Sequence, residues 1–177
     1  MANNYGVFRS DNMQCTKNGH IKSGRYYVTT TPTIIENANL VKLDSLISGE
    51  RELWKVVAPG GVTTANCYIV ATPEIIYDES LKSSGALCEF RNAAGENITL
   101  LGVAVGDTFA VSDSAIAQIN GTDKPTVGKY VTPSANGTKW TEVATITANE
   151  VFYGQIIARE LYKNGAYLNV IRMISVN

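Results

Sequence analysis

The feature that most constrains the fold is a series of short apolar runs separated by turn signals. From Glu36 onward, these runs alternate with pairs rich in Gly, Asn or Pro at intervals of about 8–12 residues. Gly and Asn tolerate positive φ, so such pairs let the chain reverse between antiparallel strands. The spacing therefore predicts an all-β fold, built as a small β-barrel or a sandwich. The apolar runs are residues 40–43, 53–58, 68–71, 86–90, 98–104, 108–111, 128–132, 142–146, 153–162 and 167–176.

The C-terminal segment contains the clearest hairpin signal. Asn164-Gly165 predicts a tight turn between strands 155–163 and 166–176. A two-residue turn places Tyr162 opposite Tyr167 and Leu161 opposite Leu168. Because apolar residues lie on both faces of this hairpin, we expect both faces to be covered. A helix over residues 150–162 is the competing interpretation, since apolar residues there also share a helical face.

Helix is expected to be scarce, with one or two short segments. Residues 112–114 (Ser-Asp-Ser) offer side-chain oxygens to cap a helix over 115–119, which the Asn-Gly pair at 120–121 would end. A second short helix is predicted over residues 73–79, with Pro73 at its first position.

The first 33 residues have a different character from the rest. They are polar and rich in Asn, Gly and Thr, with one candidate strand over residues 25–31. We expect an extended N-terminal arm over residues 1–33, ordered by lying across a neighbouring molecule, and a single β-rich domain over residues 34–177.

Charge and hydropathy exclude several classes of protein. The 177 residues carry 15 Lys and Arg against 16 Asp and Glu, a net charge of -1, with no basic run to bind nucleic acid. No apolar stretch approaches the roughly 18 residues of a membrane span, and the N-terminus lacks the pattern of a signal peptide. We expect no direct contact with nucleic acid or membrane, and a protein that is kept in the cytosol or exported only inside something larger.

Metal and cofactor chemistry is not indicated. The three cysteines, Cys15, Cys67 and Cys88, form no C-x-x-C pair, and His20 is the only histidine, so no zinc site can be assembled from these residues alone. In a chain without an export signal we expect reduced thiols, with Cys67 and Cys88 packed as small apolar residues.

Catalytic patterns are equally weak, and we expect no enzyme. His20 lies in the polar arm with no G-x-S-x-G elbow in the chain, so it is expected to be solvated. The acid pairs Glu50/Glu52 and Asp78/Glu79 suit exposed turns better than a glycosidase cleft, which separates its two carboxylates across a sugar.

Three further motifs have an ordinary structural interpretation. Residues 59–64 (Pro-Gly-Gly-Val-Thr-Thr) resemble a phosphate-binding loop, but no Walker lysine or long helix follows, so a hairpin loop is expected. The N-x-T triplets at Asn97, Asn120 and Asn136 accept glycans only in a secreted protein. Trp54, Trp140 and the tyrosines suit cross-strand packing or an interface.

Several strand-and-turn segments together resemble the capsid decoration, or cement, proteins of tailed bacteriophages, and the resemblance spans most of the chain. The opening Asn-Tyr-Gly-Val-Phe-Arg-Ser-Asp-Asn also looks like phage structural proteins encoded near the major capsid gene. The segments that carry the resemblance are residues 4–12, 40–44, 53–58, 102–111 and 127–133.

The resemblance implies a small β-barrel or β-tulip-like subunit, commonly a homotrimer, that binds the major capsid protein. Such subunits sit on the outer capsid surface of an expanded virion head, and would assemble in the bacterial host cytoplasm. The N-terminal arm is the expected lattice-binding segment. Its capsid-contact residues are expected to be Tyr5, Phe8, Arg9, Tyr26 and Tyr27.

Two other functions fit the same pattern. One is a different virion component, such as a head fibre, a head-completion protein or a tail-tube protein. The other is a carbohydrate-binding module, for which Trp54, Trp140 and exposed tyrosines would form a flat platform. An enzyme ranks last.

Overall fold

A computed structural model describes residues 5–14, 20–74, 90–117, 124–162 and 167–176. Strands dominate these residues, and the fold is all-β, as the spacing of apolar runs predicts. In chain order the strands are β1 (Phe8–Gln14), β2 (Ile21–Val28), β3 (Thr31–Pro32), β4 (Leu40–Leu46), β5 (Leu53–Val57), β6 (Tyr68–Val70), β7 (Ile98–Gly102), β8 (Thr108–Ser112), β9 (Ile116–Ala117), β10 (Tyr130–Pro133), β11 (Trp140–Val143), β12 (Phe152–Leu161) and β13 (Tyr167–Val176).

Five of these strands close into a barrel. Around the barrel the order is β2-β5-β4-β6-β7, and β7 pairs with β2 to complete the ring, while β3 extends β2 at the outside. The pairing of β2 with β5 is parallel and the other four are antiparallel. Closure leaves no unpaired edge in this part of the molecule.

Aliphatic side chains fill the barrel interior. Gly24 on β2 makes room for them, because a Cβ there would lie 2.8 Å from Leu100 Cδ1 and 2.9 Å from Val56 Cγ1. Glycine is thus required by close approach rather than by a special backbone angle. The buried members of this cluster are Ile35, Val41, Val56, Val70, Ile98 and Leu100.

The other layer is a seven-stranded sheet in the order β1-β8-β13-β12-β10-β11-β9. Its centre is the antiparallel pair of β12 and β13, each ten residues long. At one edge β1 pairs with β8, and at the other the two-residue β9 runs parallel to β11.

The main core lies between the sheet and the barrel. Leu40 and Ile69 point out of the barrel into this core, while their neighbours Val41 and Val70 point into the barrel interior. Strand β6 and the first two residues of β4 are therefore buried on both faces, which explains their consecutive apolar residues. Trp140 is fully buried here and donates its indole N–H to the Ala38 carbonyl at 3.0 Å, so it ties the sheet to the barrel.

The structure corrects the expectation of an N-terminal arm. Residue Phe8 of β1 pairs with Val111 of the sheet, and β2 is a barrel strand paired with both β5 and β7. Val7 is fully buried, and its amide donates to Ser112 Oγ at 2.8 Å. The described part of residues 1–33 therefore belongs to both layers. Its polar sequence suggests a solvated segment, but its backbone N–H and C=O groups are paired with strands that are distant in the chain.

The C-terminal hairpin forms, but its register differs from the prediction by one residue. Leu161 lies opposite Tyr167, and Glu160 lies opposite Leu168. The turn at residues 163–166 lies outside the described residues. The observed register places Arg159 opposite Asn169, and both side chains bond to Asp113. Asp113 lies 46 and 56 residues away in the chain from these two residues, so the local sequence of the hairpin does not encode this contact.

The first predicted helix, over residues 115–119, does not form where the structure describes it. Residues Asp113–Ala115 form a single 3₁₀ turn, and the chain then enters β9 at Ile116. The apolar residues that suggested a helix instead pack into the core as a strand, because Ile116 pairs with Trp140. The rest of that segment, and residues 75–79 of the other predicted helix, lie outside the described residues.

Candidate functional site

The outer face of the seven-stranded sheet is the candidate interaction surface. Its orientation follows from strand register, because residues opposite each other share a face. Ile156, Ile171 and Phe109 are opposite one another and buried, so their row faces the core. The next row faces away from it, and runs through Tyr130, Gln155, Arg172 and Thr108.

Two β-bulges interrupt the central hairpin on this layer. Between the pairs Ile156–Ile171 and Ala158–Val170, β12 carries one extra residue, Ile157. Between the pairs at Tyr153 and Gly154, β13 carries the extra residue Ile174. Both extra residues are isoleucines, with 44% and 38% of their surface exposed. A bulge re-aims the side chain of the inserted residue, and here each one turns a large aliphatic group towards solvent.

A shallow groove adjoins Ile174. It has a volume of about 320 Å³ and is lined by Tyr130, Thr145, Ile146, Tyr153 and Ile174. The rings of Tyr130 and Tyr153 meet edge to face, with centroids 6.3 Å apart and planes at 79°. Aliphatic groups and ring faces supply its apolar area, and hydroxyl groups supply its polar atoms, which is the composition of a protein contact.

Other exposed apolar groups lie beside the same strands. The Gly128 amide donates to the Ile156 carbonyl at 2.8 Å, which brings Val127, 52% exposed, next to the β12 bulge. Leu161 at the end of β12 is 66% exposed. The expectation that both faces of the hairpin are covered is therefore wrong for these positions. We name the set Tyr130, Tyr153, Ile157, Arg172 and Ile174, with the groove, the outer-face patch.

A polar cluster lies at the far end of the same hairpin. Arg159 forms an ion pair with Asp113 and lies 4.3 Å from the centroid of the Tyr167 ring. The other Asp113 oxygen accepts a bond from Asn169 Nδ2 at 2.7 Å, and Asn169 is fully buried. These contacts hold the 3₁₀ turn to the centre of the sheet. They involve Arg159 and Asn169, which lie opposite each other in the observed register.

The predicted capsid-contact residues do not form one surface. Phe8 is only 6% exposed and packs against Phe109 in the core, so its prediction as a contact residue is wrong. The cause is that β1 pairs with the sheet and turns this ring inward. Tyr26 is half-buried against the barrel interior, and burial raises the pKa of its phenol.

The remaining predicted contact residues are half-buried and bound within the chain. The ring of Tyr5 stacks with the Arg91 guanidinium at 5.5 Å, and that of Tyr27 lies 5.8 Å from the Lys55 ammonium. Arg9 lies 5.3 Å from the centroid of the Tyr162 ring. Their contact with a capsid stays a prediction.

Residues considered for chemistry are dispersed. His20 is exposed, and Glu50 and Glu52 lie on an exposed loop of the barrel. Cys67 is a buried free thiol in the core, and burial raises its pKa to about 12, so the thiol stays neutral at physiological pH. Cys15, Cys88, Asp78 and Glu79 lie outside the described residues. Within the described ranges, no group of three or more His, Cys, Asp or Glu side chains could hold a metal ion.

Comparison of the chain with protein-family models, with curated proteins and with solved structures finds no match. No helix in the described part of the chain is long and apolar enough to cross a membrane. The functional assignment therefore depends on the geometry of the surface.

Sequence reasoning missed the outer-face patch. The available signal was the presence of apolar residues on both faces of the predicted hairpin. Strict alternation already places Ile157 and Ile174 on the face opposite Ile156 and Met173. Because apolar residues occur on both faces of the hairpin, however, the sequence gives no sign that this face stays open.

Proposed function

We propose that the protein is a structural component that acts by adhesion, and specifically a capsid decoration protein. In this role it binds the major capsid protein on the outside of an expanded tailed-phage head, as a homotrimer, and stabilises the lattice without catalysis. The observation that carries the proposal is the outer-face patch, where two bulges expose isoleucines in the middle of central strands.

The position of these isoleucines favours a binding role. The exposed aliphatic residues of the barrel strands lie at strand ends, since Ile21 begins β2, Val28 ends it and Leu46 ends β4. Scattered groups of that kind are ordinary on protein surfaces. Ile157 and Ile174 instead lie inside the longest strands, and Ile174 also lines a groove with two tyrosines. Large apolar groups exposed within central strands favour an interaction site.

The chemistry of the patch suits a protein partner. Tyrosine combines a large apolar ring with a polar tip and loses little conformational entropy on binding, so it anchors interfaces well. Arg172 is exposed in the same row and adds a planar donor at the rim. The layered core beneath holds these groups on strands rather than on loops.

Decoration is a function that such a surface can perform without a reactive group. A subunit that binds only the mature lattice stabilises that lattice by mass action. A cyclic oligomer on a symmetric shell presents several copies of the patch at once, so weak contacts combine through effective concentration. Because β1 and β2 are paired within the two layers, the described part of residues 1–33 does not form a separate arm that could bind the lattice. We therefore assign lattice binding to the outer-face patch in this proposal.

A carbohydrate-binding platform is less well supported. Trp140 is fully buried, and Trp54 packs against the barrel interior. The two groove tyrosines meet at 79° and so offer no flat stacking surface. Another virion component, such as a head fibre, head-completion or tail-tube protein, remains the alternative, and it would use the same adhesive face.

The test is binding to expanded heads of the phage that encodes the chain. Purified heads lacking the protein are mixed with wild-type protein and with an Ile157→Asp/Ile174→Asp variant, then sedimented and imaged by electron microscopy. We expect the wild type to bind and to raise the temperature of head rupture, and the variant to bind at least about tenfold more weakly.

Leu46→Asp is the matched control, because Leu46 is a comparably exposed aliphatic residue on the barrel. This control should bind as the wild type does. If the wild type neither binds expanded heads nor changes their thermal rupture, the decoration role is wrong. If the control loses binding and the double variant keeps it, the outer-face patch is not the contact.

A further inference from the structure

The barrel carries a lysine that forms no ion pair within the described part of the chain. Lys42 on β4 is half-buried, and no carboxylate among the described residues forms an ion pair with it. The closest carboxylate along its strand is Asp44, the extra residue of a bulge opposite β5. That carboxylate binds Lys55 instead, at 3.3 Å. An ammonium group without a carboxylate partner among the described residues is available to bind an anion.

A glycine loop lies against this ammonium. A Cβ built on Gly60 would be 3.8 Å from Lys42 Nζ, so the open side of the glycine faces the charge. Gly60 and Gly61 have φ of 86° and 116°, which other residues rarely adopt. The loop is closed internally, because the Thr64 hydroxyl donates to the Pro59 carbonyl at 2.6 Å and the Thr64 amide to the Gly61 carbonyl at 3.2 Å.

The amides of this loop are available as donors. Those of Gly60, Gly61 and Val62 donate no hydrogen bond to any other described residue. Gly61 is nonetheless buried, against the Cα of Ala135. Amides that have no partner among the described residues, on a loop that adjoins an ammonium group, suit an acceptor of negative charge.

We propose that Lys42 and the backbone of residues 60–62 form a binding site for a small oxyanion such as inorganic phosphate or sulfate. The ammonium supplies the charge and the loop amides supply directed hydrogen bonds, the combination by which glycine loops hold phosphate elsewhere. The site lies on the barrel and is independent of the outer-face patch and of any role in a capsid.

Nuclear magnetic resonance provides the test, because glycine amide signals fall in a well-resolved region. The full-length, ¹⁵N-labelled protein is titrated with inorganic phosphate at fixed pH, with chloride in a parallel titration at matched ionic strength. We expect saturable shifts at Gly60, Gly61 and Val62 with phosphate and none with chloride. Lys42→Met should weaken phosphate binding at least about tenfold, as for loss of a charge-assisted hydrogen bond.

Lys55→Met is the matched control, since Lys55 lies on the adjacent strand but is paired with Asp44. It should bind phosphate as the wild type does, and dispersed spectra of both variants establish that they are folded. Shifts that grow linearly with either salt, or that are equal in wild type and Lys42→Met, would show that only water and mobile ions solvate the ammonium, and the proposal would be overturned. Absence of any phosphate-dependent shift would overturn it as well.

Discussion

The barrel and the seven-stranded sheet bury their apolar residues in different ways. The barrel closes on itself, so its strands pair around a complete ring, and β6 and the start of β4 are buried on both faces. The sheet stays open, and the barrel covers only its inner face. The positions of exposed aliphatic residues differ between the two layers. Those of the barrel strands lie at strand ends, whereas Ile157 and Ile174 of the sheet lie within strands.

This difference indicates a division of roles. Closure without edges makes the barrel a self-contained support. The sheet packs its inner face on the barrel, so its outer face can carry irregular features such as bulges. The bulges need this support, because each interrupts the ladder of the central hairpin and leaves a residue unpaired.

Deleting residues 1–14 is the most severe way to break this arrangement. The deletion removes β1 together with Val7 and Phe8, which are buried in the core. We expect loss of about 5 kcal/mol or more in the free energy of unfolding, because burial of a phenylalanine and a valine is lost and the edge of β8 is exposed. Circular dichroism with urea denaturation measures it. A deletion variant as stable as the full chain would restore the interpretation of these residues as a separate arm.

Trp140→Ala tests the junction of the two layers. The indole is fully buried, stacks on Phe152 with centroids 5.9 Å apart, and donates to the Ala38 carbonyl. We expect a loss of about 4 kcal/mol in unfolding free energy. Trp54→Ala on the half-buried face of the barrel is the control, with a loss of about 2 kcal/mol. Equal losses in urea denaturation would mean that the junction contributes no more than the barrel surface.

Glycine-to-alanine variants compare the packing of the two layers. At Gly154 in the sheet, a Cβ would lie 2.6 Å from Ile171 Cγ2 and 2.9 Å from the Arg172 carbonyl oxygen, which is backbone and cannot move aside easily. At Gly24 in the barrel the nearest atoms belong to side chains. We expect destabilisation of about 3 kcal/mol for Gly154→Ala and about 1.5 kcal/mol for Gly24→Ala, from thermal unfolding. A larger loss for Gly24→Ala than for Gly154→Ala would mean that the barrel accommodates an added methyl group less easily than the sheet does.

Polar substitution of the two bulge isoleucines should have the smallest effect on stability. Since both side chains are exposed, Ile157→Ser and Ile174→Ser should change the unfolding free energy by no more than about 0.5 kcal/mol. Self-association or partner binding, measured by sedimentation, should fall in both. A loss of stability above about 2 kcal/mol would show that these residues serve the fold rather than the surface.

The strand character of most apolar runs could be predicted from the sequence, and so could the presence of a C-terminal hairpin. Both depend on local patterns, namely alternation and turn residues. The candidate site could not, because apolar residues occur on both faces of the hairpin, and only the packing of Ile156 and Met173 into the core decides which face is covered. The sequence pattern predicts that Tyr5, Phe8, Arg9, Tyr26 and Tyr27 belong to one arm. The packing of β1 and β2 instead distributes them over two different layers.

By itself, then, the sequence determined the all-β class, the scarcity of helix and the burial of Cys67, all of which follow from the order of apolar and turn-forming residues. Tertiary structure decided which strands close a barrel, where the bulges fall and which face stays open. The physical reason is distance along the chain: Phe8 pairs with Val111 and Trp140 bonds to Ala38, each across about a hundred residues, and local propensity does not encode such pairings.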